Sequence, residues 1–349
     1  MRELLFVEKV FLRPPSPPLR GVELFNFQLI RELQDLGYSV SLPMVKPWEP
    51  IVREELGMNF PGFIGIPDLG VPAISAMLGT RKIKKGCADW LIIGNVGKGI
   101  IPMVRRLHRK RCFKRSLVIA HRETEDHFLK MCRDLKTRVV AVNTVIAQRF
   151  AEGGCTHTVT DYGVMHAEKF FPGTEKNPHT VIFGVLGAMD NPWKGADRAI
   201  AAFKGLTGDT ARRCRLELAS YKSAQHFNDD RIKAHTWRPP SWIPGFLRRI
   251  DVLIVPSYDE EVMRETFSQA MVQGMLSGLP IIVNDLPVLV EKLDAGGGRV
   301  CADAWSMTSA MKELAEDAVL RERLGKESRK TALERYIWDT QRFVQRYLE

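Results

Sequence analysis

The sequence predicts an α/β protein of two domains, each a parallel sheet covered by helices. Three observations carry this. Apolar runs of strand length alternate with helix-period segments throughout the chain, the pattern of successive βαβ units. The 349 residues exceed what a single core usually organises. Residues 171–179, FPGTEKNPH, hold two prolines and a glycine without apolar periodicity and read as a linker.

The elements follow in order. LLFVEKVFL (residues 4–12) reads as the first strand, followed by the Pro-rich loop RPPSPPLRG and a helix from Val22 to Leu36 closed by Gly37. Tyr38–Leu42, Trp90–Ile93, Leu117–Ala120 and Val139–Val142 are further strands by their apolar, β-branched content. Beyond the linker the alternation restarts with a strand over Val181–Leu186, a helix over Ala196–Lys204 and a strand over Arg215–Ala219. Asp251–Val255 and Leu279–Val283 are strands that frame a helix, and the tail from Trp305 to Glu349 is helical and amphipathic, interrupted near Gly325.

Composition narrows the function. An apolar content of 45% and a charged content of 26% fit a soluble globular protein. No run approaches 18 apolar residues, and the N-terminal apolar run is too short for a signal peptide. The six cysteines are never closely paired, which points to reduced thiols in the cytoplasm and to neither a disulfide framework nor a zinc site.

The net charge of +10 is unevenly spread: residues 1–172 hold 26 Lys+Arg against 17 Asp+Glu, and the rest hold 25 against 24. The densest run, RRLHRKRCFKR, spans Arg105–Arg115. It reads either as a solvated helix face or as a surface for anionic lipid headgroups or a phosphorylated acceptor, at the inner face of a membrane. No aromatic interleaving accompanies it, so nucleic acid is not expected as a partner.

Residues 251–291 read as strand, acidic loop, helix, strand. Glu265 stands where the helix is expected to start, with Thr266-Phe-Ser-Gln269 spaced as a capping box and Gly278-Leu-Pro280 as its stop. Gln273 then lies about 12 Å further along the axis, at about 1.5 Å per residue. A strand feeding a helix N-terminus is where α/β proteins bind phosphorylated ligands; an ordinary buried βαβ unit is the alternative. In residues 181–203 a strand runs into Gly187, and Lys194-Gly195 precedes a helix. Lys194 is placed either as a plain helix-start lysine or as a point charge for phosphate.

Together these segments resemble the retaining GT-B glycosyltransferases of glycosyltransferase family 4. The resemblance rests on Gly187, Lys194-Gly195, Pro256-Ser257, Glu265-Thr-Phe267, Met275-Leu-Ser-Gly278-Leu-Pro280, Glu291 and Gly296–Gly298. It is weaker in the first half, at Arg20-Gly21-Val-Glu23, at His121 after its strand, and at Asp161-Tyr-Gly163-Val164. It implies two Rossmann-like domains facing a cleft: residues 1–172 on the acceptor side and 173–335 binding the nucleotide sugar. Residues 336–349 would form a helix packing back on the first domain.

By the same resemblance, Glu265 would contact the donor sugar and His121 would sit near it. Lys194 would hold the diphosphate and the Gly21 N–H would approach it, with Gly187, Phe267, Gln273 and Glu291 lining the donor pocket. No cofactor is implied beyond the nucleotide sugar as co-substrate. No metal is expected either, since the sequence holds no Asp-x-Asp pair and no clustered His or Cys. The acceptor would be a glycan, a lipid or a small molecule.

Three positions depart from the family pattern. Gln273 replaces a glutamate that typically binds ribose, Ala188 replaces a basic residue, and Arg20 stands where a glycine is common, its guanidinium either restoring the lost phosphate charge as a donor-binding group or blocking close approach. The first two leave a second reading open, a non-catalytic GT-B homologue serving as a scaffold subunit.

Overall fold

A computed structural model describes residues 2–349, apart from Pro17, Pro18, Arg20, Glu123, Glu175 and 259–264, and gives only the backbone at Ala73 and Lys98. Arg20 and the acidic loop after the strand at 251–255 therefore lie outside the described residues. The chain forms two compact units, one of Met1–Met165 with Asp339–Glu349 and one of His166–Trp338.

In the first unit the elements are β1 (Glu3–Val7), α1 (Gly21–Asp35), β2 (Ser39–Val45), α2 (Glu49–Leu56), β3 (Phe63–Ile66), α3 (Pro72–Gly79) and β4 (Ala88–Ile93). They continue as α4 (Ile101–Arg109), β5 (Phe113–Ala120), α5 (Asp126–Asp134), β6 (Arg138–Ala141), α6 (Thr144–Glu152) and β7 (Thr158–Thr160). The strands pair in parallel in the order β3-β2-β1-β4-β5-β6-β7, so the order reverses between β1 and β4. The central strands are apolar on both faces, as a sheet covered on both sides requires. The first strand is shorter than the sequence suggests. It ends at Val7 because the buried Glu8 turns back to accept the Val10 N–H at 2.8 Å, and Val10–Leu12 coil into a 3-10 turn.

The second unit contains β8 (Val181–Leu186), α7 (Ala196–Lys204), α8 (Gly208–Arg213), β9 (Cys214–Tyr221), β10 (Ile232–Thr236), α9 (Ile243–Arg249), β11 (Val252–Val255) and α10 (Gln269–Leu276). After these come β12 (Ile281–Asn284), α11 (Pro287–Val290), β13 (Gly298–Cys301), α12 (Ala304–Glu316) and α13 (Ala318–Arg335). Its sheet is also parallel, ordered β10-β9-β8-β11-β12-β13, and reverses between β8 and β11. This is the doubly wound order, in which ligands bind outside the carboxyl ends of the strands at the reversal. Phe183, Phe203, Leu216, Ile254, Met311 and Leu314 are among the residues of its main core.

Two expectations about helix ends are corrected. α10 starts at Gln269, not at Thr266, because Ser268 takes a left-handed backbone (φ 61°) and no side chain caps the helix. Only four of the residues between Glu265 and Gln273 therefore rise as a helix, and the 12 Å axial estimate lapses. Gly325 does not interrupt the tail. It lies inside α13, where a Cβ would meet the Gly278 carbonyl oxygen at 2.2 Å. The break falls at Asp317, whose side chain caps α13 by accepting the Leu320 N–H.

The last segment, α14 (Thr340–Phe343) and a π turn over Val344–Leu348, belongs to the first unit. Trp90 Nε1 donates to the Leu348 carbonyl at 2.9 Å, and Tyr347 donates its hydroxyl to Asp161 at 2.9 Å.

Candidate functional site

The sites predicted in the second unit converge on its strand reversal. β8 leads through Gly187 to Lys194, and β11 leads through Pro256 and Ser257 to Glu265. Lys194 Nζ donates to Glu265 Oε2 at 2.5 Å, and Ser257 Oγ donates to the same oxygen at 3.1 Å. The side chains of Lys194 and Glu265 are only 18% and 7% exposed. An ion pair so far out of water persists only with good geometry and further hydrogen bonds, which Ser257 supplies. The ammonium also lies 4.4 Å from the centre of the Trp193 ring.

Local sterics explain the Lys-Gly pair. Gly195 has φ 70°, and a Cβ there would lie 2.0 Å from the Pro256 carbonyl oxygen, so only glycine lets the two loops touch. Asn284, at the end of β12, fixes the other side by donating Nδ2 to the carbonyls of Pro256 (2.7 Å) and Ser257 (3.2 Å). Gly187 donates its N–H to the Ala219 carbonyl at 2.8 Å, leaving that group committed to the fold. A Cβ at Gly187 would crowd Met189 Cε at 3.0 Å and lie in ordinary contact with the stem of Lys194 at 3.6 Å.

A second cation stands behind this pair. Lys292, just after α11, is fully buried. Its Nζ donates to the Val288 carbonyl at 2.6 Å and to Glu291 Oε1 at 3.3 Å, and it faces the rings of Phe267 (4.9 Å) and Tyr336 (5.4 Å). Burial pulls its pKa down, while Glu291 and then Glu265 push it up. Glu265, Phe267 and Glu291 are thus gathered around two lysines. In the sequence, Lys292 is indistinguishable from a surface lysine, and only its neighbour Glu291 draws attention to it. Gln273 is half-buried on α10, and among the described residues no hydrogen bond joins its side chain to this cluster.

In the first unit, Gly21 opens α1 with open space where a Cβ would stand. His121 follows β5 and is buried against Phe25 (5.4 Å) and Tyr162 (5.1 Å), and among the described residues its Nε2 has no hydrogen-bond partner. Burial first, and Arg122 second, lower its pKa to about 3, so the imidazole is neutral near pH 7. Such a ring can donate or accept a hydrogen bond, but it does not carry positive charge.

Among the described residues no group of three His, Cys, Asp or Glu side chains is arranged to hold a metal ion. Among the same residues no helix is long and apolar enough to cross a membrane.

Residues 180–317 match the family model described as Glycosyl transferases group 1, which places such a domain in the second unit. No functionally curated protein matches the chain in sequence. Among solved structures, HepE of Anabaena in complex with UDP and glucose superposes with a TM-score of 0.73 at 14% identity, over 100% of this chain and 98% of that one. Sucrose-phosphate synthase of Thermosynechococcus elongatus gives 0.71 at 15% identity, over 100% and 98%. A glycosyltransferase of Rickettsia africae gives 0.72 at 14%, over 99% and 97%. Likeness at these identities establishes the fold: two Rossmann-like domains of the GT-B type, as the sequence predicted.

Proposed function

We propose that this protein is a retaining, metal-independent glycosyltransferase that moves a sugar from a nucleotide-sugar donor to an acceptor. The observation that carries the reading is the Lys194–Glu265 pair at the strand reversal of the second unit, with Ser257 on the same carboxylate. A diphosphate arriving there can draw Lys194 from Glu265, and the ammonium then stabilises the charge that develops as the diphosphate leaves. Glu265, released in part, is free to accept hydrogen bonds from donor-sugar hydroxyls. Lys292, facing the Phe267 ring, and its partner Glu291 stand behind that carboxylate. In the first unit, the neutral His121, whose Nε2 has no partner among the described residues, suits a hydrogen bond to a sugar hydroxyl. Metal independence rests on the sequence, which holds no Asp-x-Asp pair.

HepE of Anabaena has been seen with UDP and with UDP-glucose, so a uridine diphosphate sugar is the first donor to test. Turnover on a panel of uridine, guanosine and adenosine diphosphate sugars, with and without chelator, checks the proposal. Product release that disappears in Glu265→Gln and Lys194→Ala supports it. Donor binding without turnover would favour the scaffold reading, which Gln273 and Ala188 motivate.

We place the acceptor, a glycan or a lipid-linked molecule, on the first unit. Within Arg105–Arg115, Lys110 donates to the carbonyls of Thr80 and Ile83, and Lys114 pairs with Asp89 at 2.7 Å. These two serve the fold. Arg105, Arg106 and Arg109 instead flank a shallow hollow with Met77 and Pro102, and this mixed cationic and apolar face suits an anionic membrane surface in the cytoplasm. Unchanged binding of Arg105→Ala/Arg109→Ala to vesicles containing phosphatidylserine would remove the membrane from the account.

A further inference from the structure

The first unit repeats the topology of the second, and its own strand reversal, between β1 and β4, opens on a pocket of about 290 Å³. Lys9 and Arg13 reach it from beyond β1, Gly97 from beyond β4, and Arg122 and Thr124 from beyond β5. Gly97 lies against the stem of Lys9: a Cβ there would stand 2.5 Å from the lysine's Cδ, so the lysine would have to shift to admit one. Leu12, Pro72 and Val96 supply apolar wall, and the exposed Glu125 also lines the pocket.

Three cations share this hollow, and among the described residues none of them forms an ion pair with a carboxylate. The lysine feels the crowding, because burial first, then Arg122 and Arg13, depress its pKa, against a smaller opposing effect of Glu8. Like charges held together at a concave surface repel, and the arrangement is relieved when an anion enters. Two guanidinium groups and an ammonium around one hollow match the several acceptor oxygens of a phosphate. Gly97 and Gly99 keep backbone close to the same space.

We propose that this pocket binds a phosphate group carried by the acceptor, with Lys9, Arg13 and Arg122 as its ligands. The proposal rests on the reading above, in which the first unit takes the acceptor, and it defines that acceptor as phosphorylated. A phosphorylated small molecule and a lipid-linked phosphate offer the same chemistry at this site.

The test is calorimetric titration of the full chain with inorganic phosphate at low ionic strength, free and in the presence of saturating UDP. Saturable binding is expected, unaffected by UDP, and weakened about ten-fold or more by Arg13→Ala/Arg122→Ala. Both arginines are exposed, so the variant should fold as the parent does. A second arm uses vesicles with and without phosphatidic acid. Vesicle binding that requires Arg13 and Arg122 assigns the phosphate to a lipid, and phosphate binding without it assigns a soluble acceptor. Binding that is absent, that survives in the double variant, or that UDP displaces would overturn the proposal. In the last case the cations would serve the donor's diphosphate. Failure of UDP to bind at all would instead count against the glycosyltransferase reading, so the two failures are separable.

Discussion

The two strand reversals share a topology and differ in how their charge is arranged. In the second unit the cations have partners within the fold: Lys194 rests on Glu265, and Lys292 rests on Glu291 and a main-chain carbonyl. In the first unit Lys9, Arg13 and Arg122 meet at a pocket, and none forms an ion pair with a carboxylate among the described residues. A paired crevice binds an anion by exchanging partners, which tunes affinity and keeps a carboxylate at hand for sugar hydroxyls. An unpaired crevice binds an anion by relieving repulsion. On the proposed reading, one sheet order serves two kinds of recognition, because the loops after the strands differ.

The largest effect should come from breaking the paired crevice. Glu265→Ala should lower kcat/KM by about 10²- to 10³-fold, as loss of a group acting on the transition state does. It should also cost about 3 kcal/mol of stability by leaving Lys194 unpaired. A Lys194→Met/Glu265→Met double variant should recover most of the stability and none of the turnover. Recovery of both would make the pair merely structural.

Behind the unpaired crevice lies a second, smaller effect. Burial, together with the nearby charge of Glu23, pushes the Glu8 carboxyl up to about 7 from its ordinary 4.5, against the pull of the Val10 N–H, Arg122 and Lys9. The folded chain therefore holds a proton that the unfolded chain has lost. That contribution is complete below about pH 4.5 and is lost as pH rises through about 7, by about 3 kcal/mol in all. Urea unfolding of Glu8→Gln across this range should show a flatter pH profile than the parent. Parallel profiles would contradict the assignment.

Next in size is the loop contact that brings Lys194 to Glu265. Gly195→Ala should cost about 2 kcal/mol, because both φ and the Pro256 carbonyl exclude a side chain. Thermal unfolding within a degree of the parent would mean that the loops do not meet as described. The smallest effect concerns Gln273. Gln273→Glu should tighten donor binding by about five-fold if the amide faces ribose, and leave it unchanged if α10 turns that side chain elsewhere.

Legibility in the sequence followed the range of the interactions. Ala196–Lys204 and Val181–Leu186 were read to the residue because apolar period and flanking glycines are local signals. Glu265, Lys194 and Glu291 were found through a motif resemblance, and the fold then brings them into one cluster. Thr266 was misread as a cap because Ser268, with a left-handed backbone, delays the helix. Gly325 looked like a break, although its lack of a side chain serves an approach to the Gly278 carbonyl. Lys292 escaped notice because its burial depends on Phe267 and Tyr336, which are distant in sequence. Lys9, Arg13 and Arg122 escaped as a group because only the parallel order sets β1, β4 and β5 side by side.

The most direct measurement is the affinity of UDP for three proteins: the parent, Lys194→Ala and Arg13→Ala/Arg122→Ala. The account predicts that UDP binds the parent, that Lys194→Ala weakens it about ten-fold or more, and that the arginine variant leaves it unchanged. UDP binding that ignores Lys194 and is lost with the two arginines would contradict the division of labour between the two crevices.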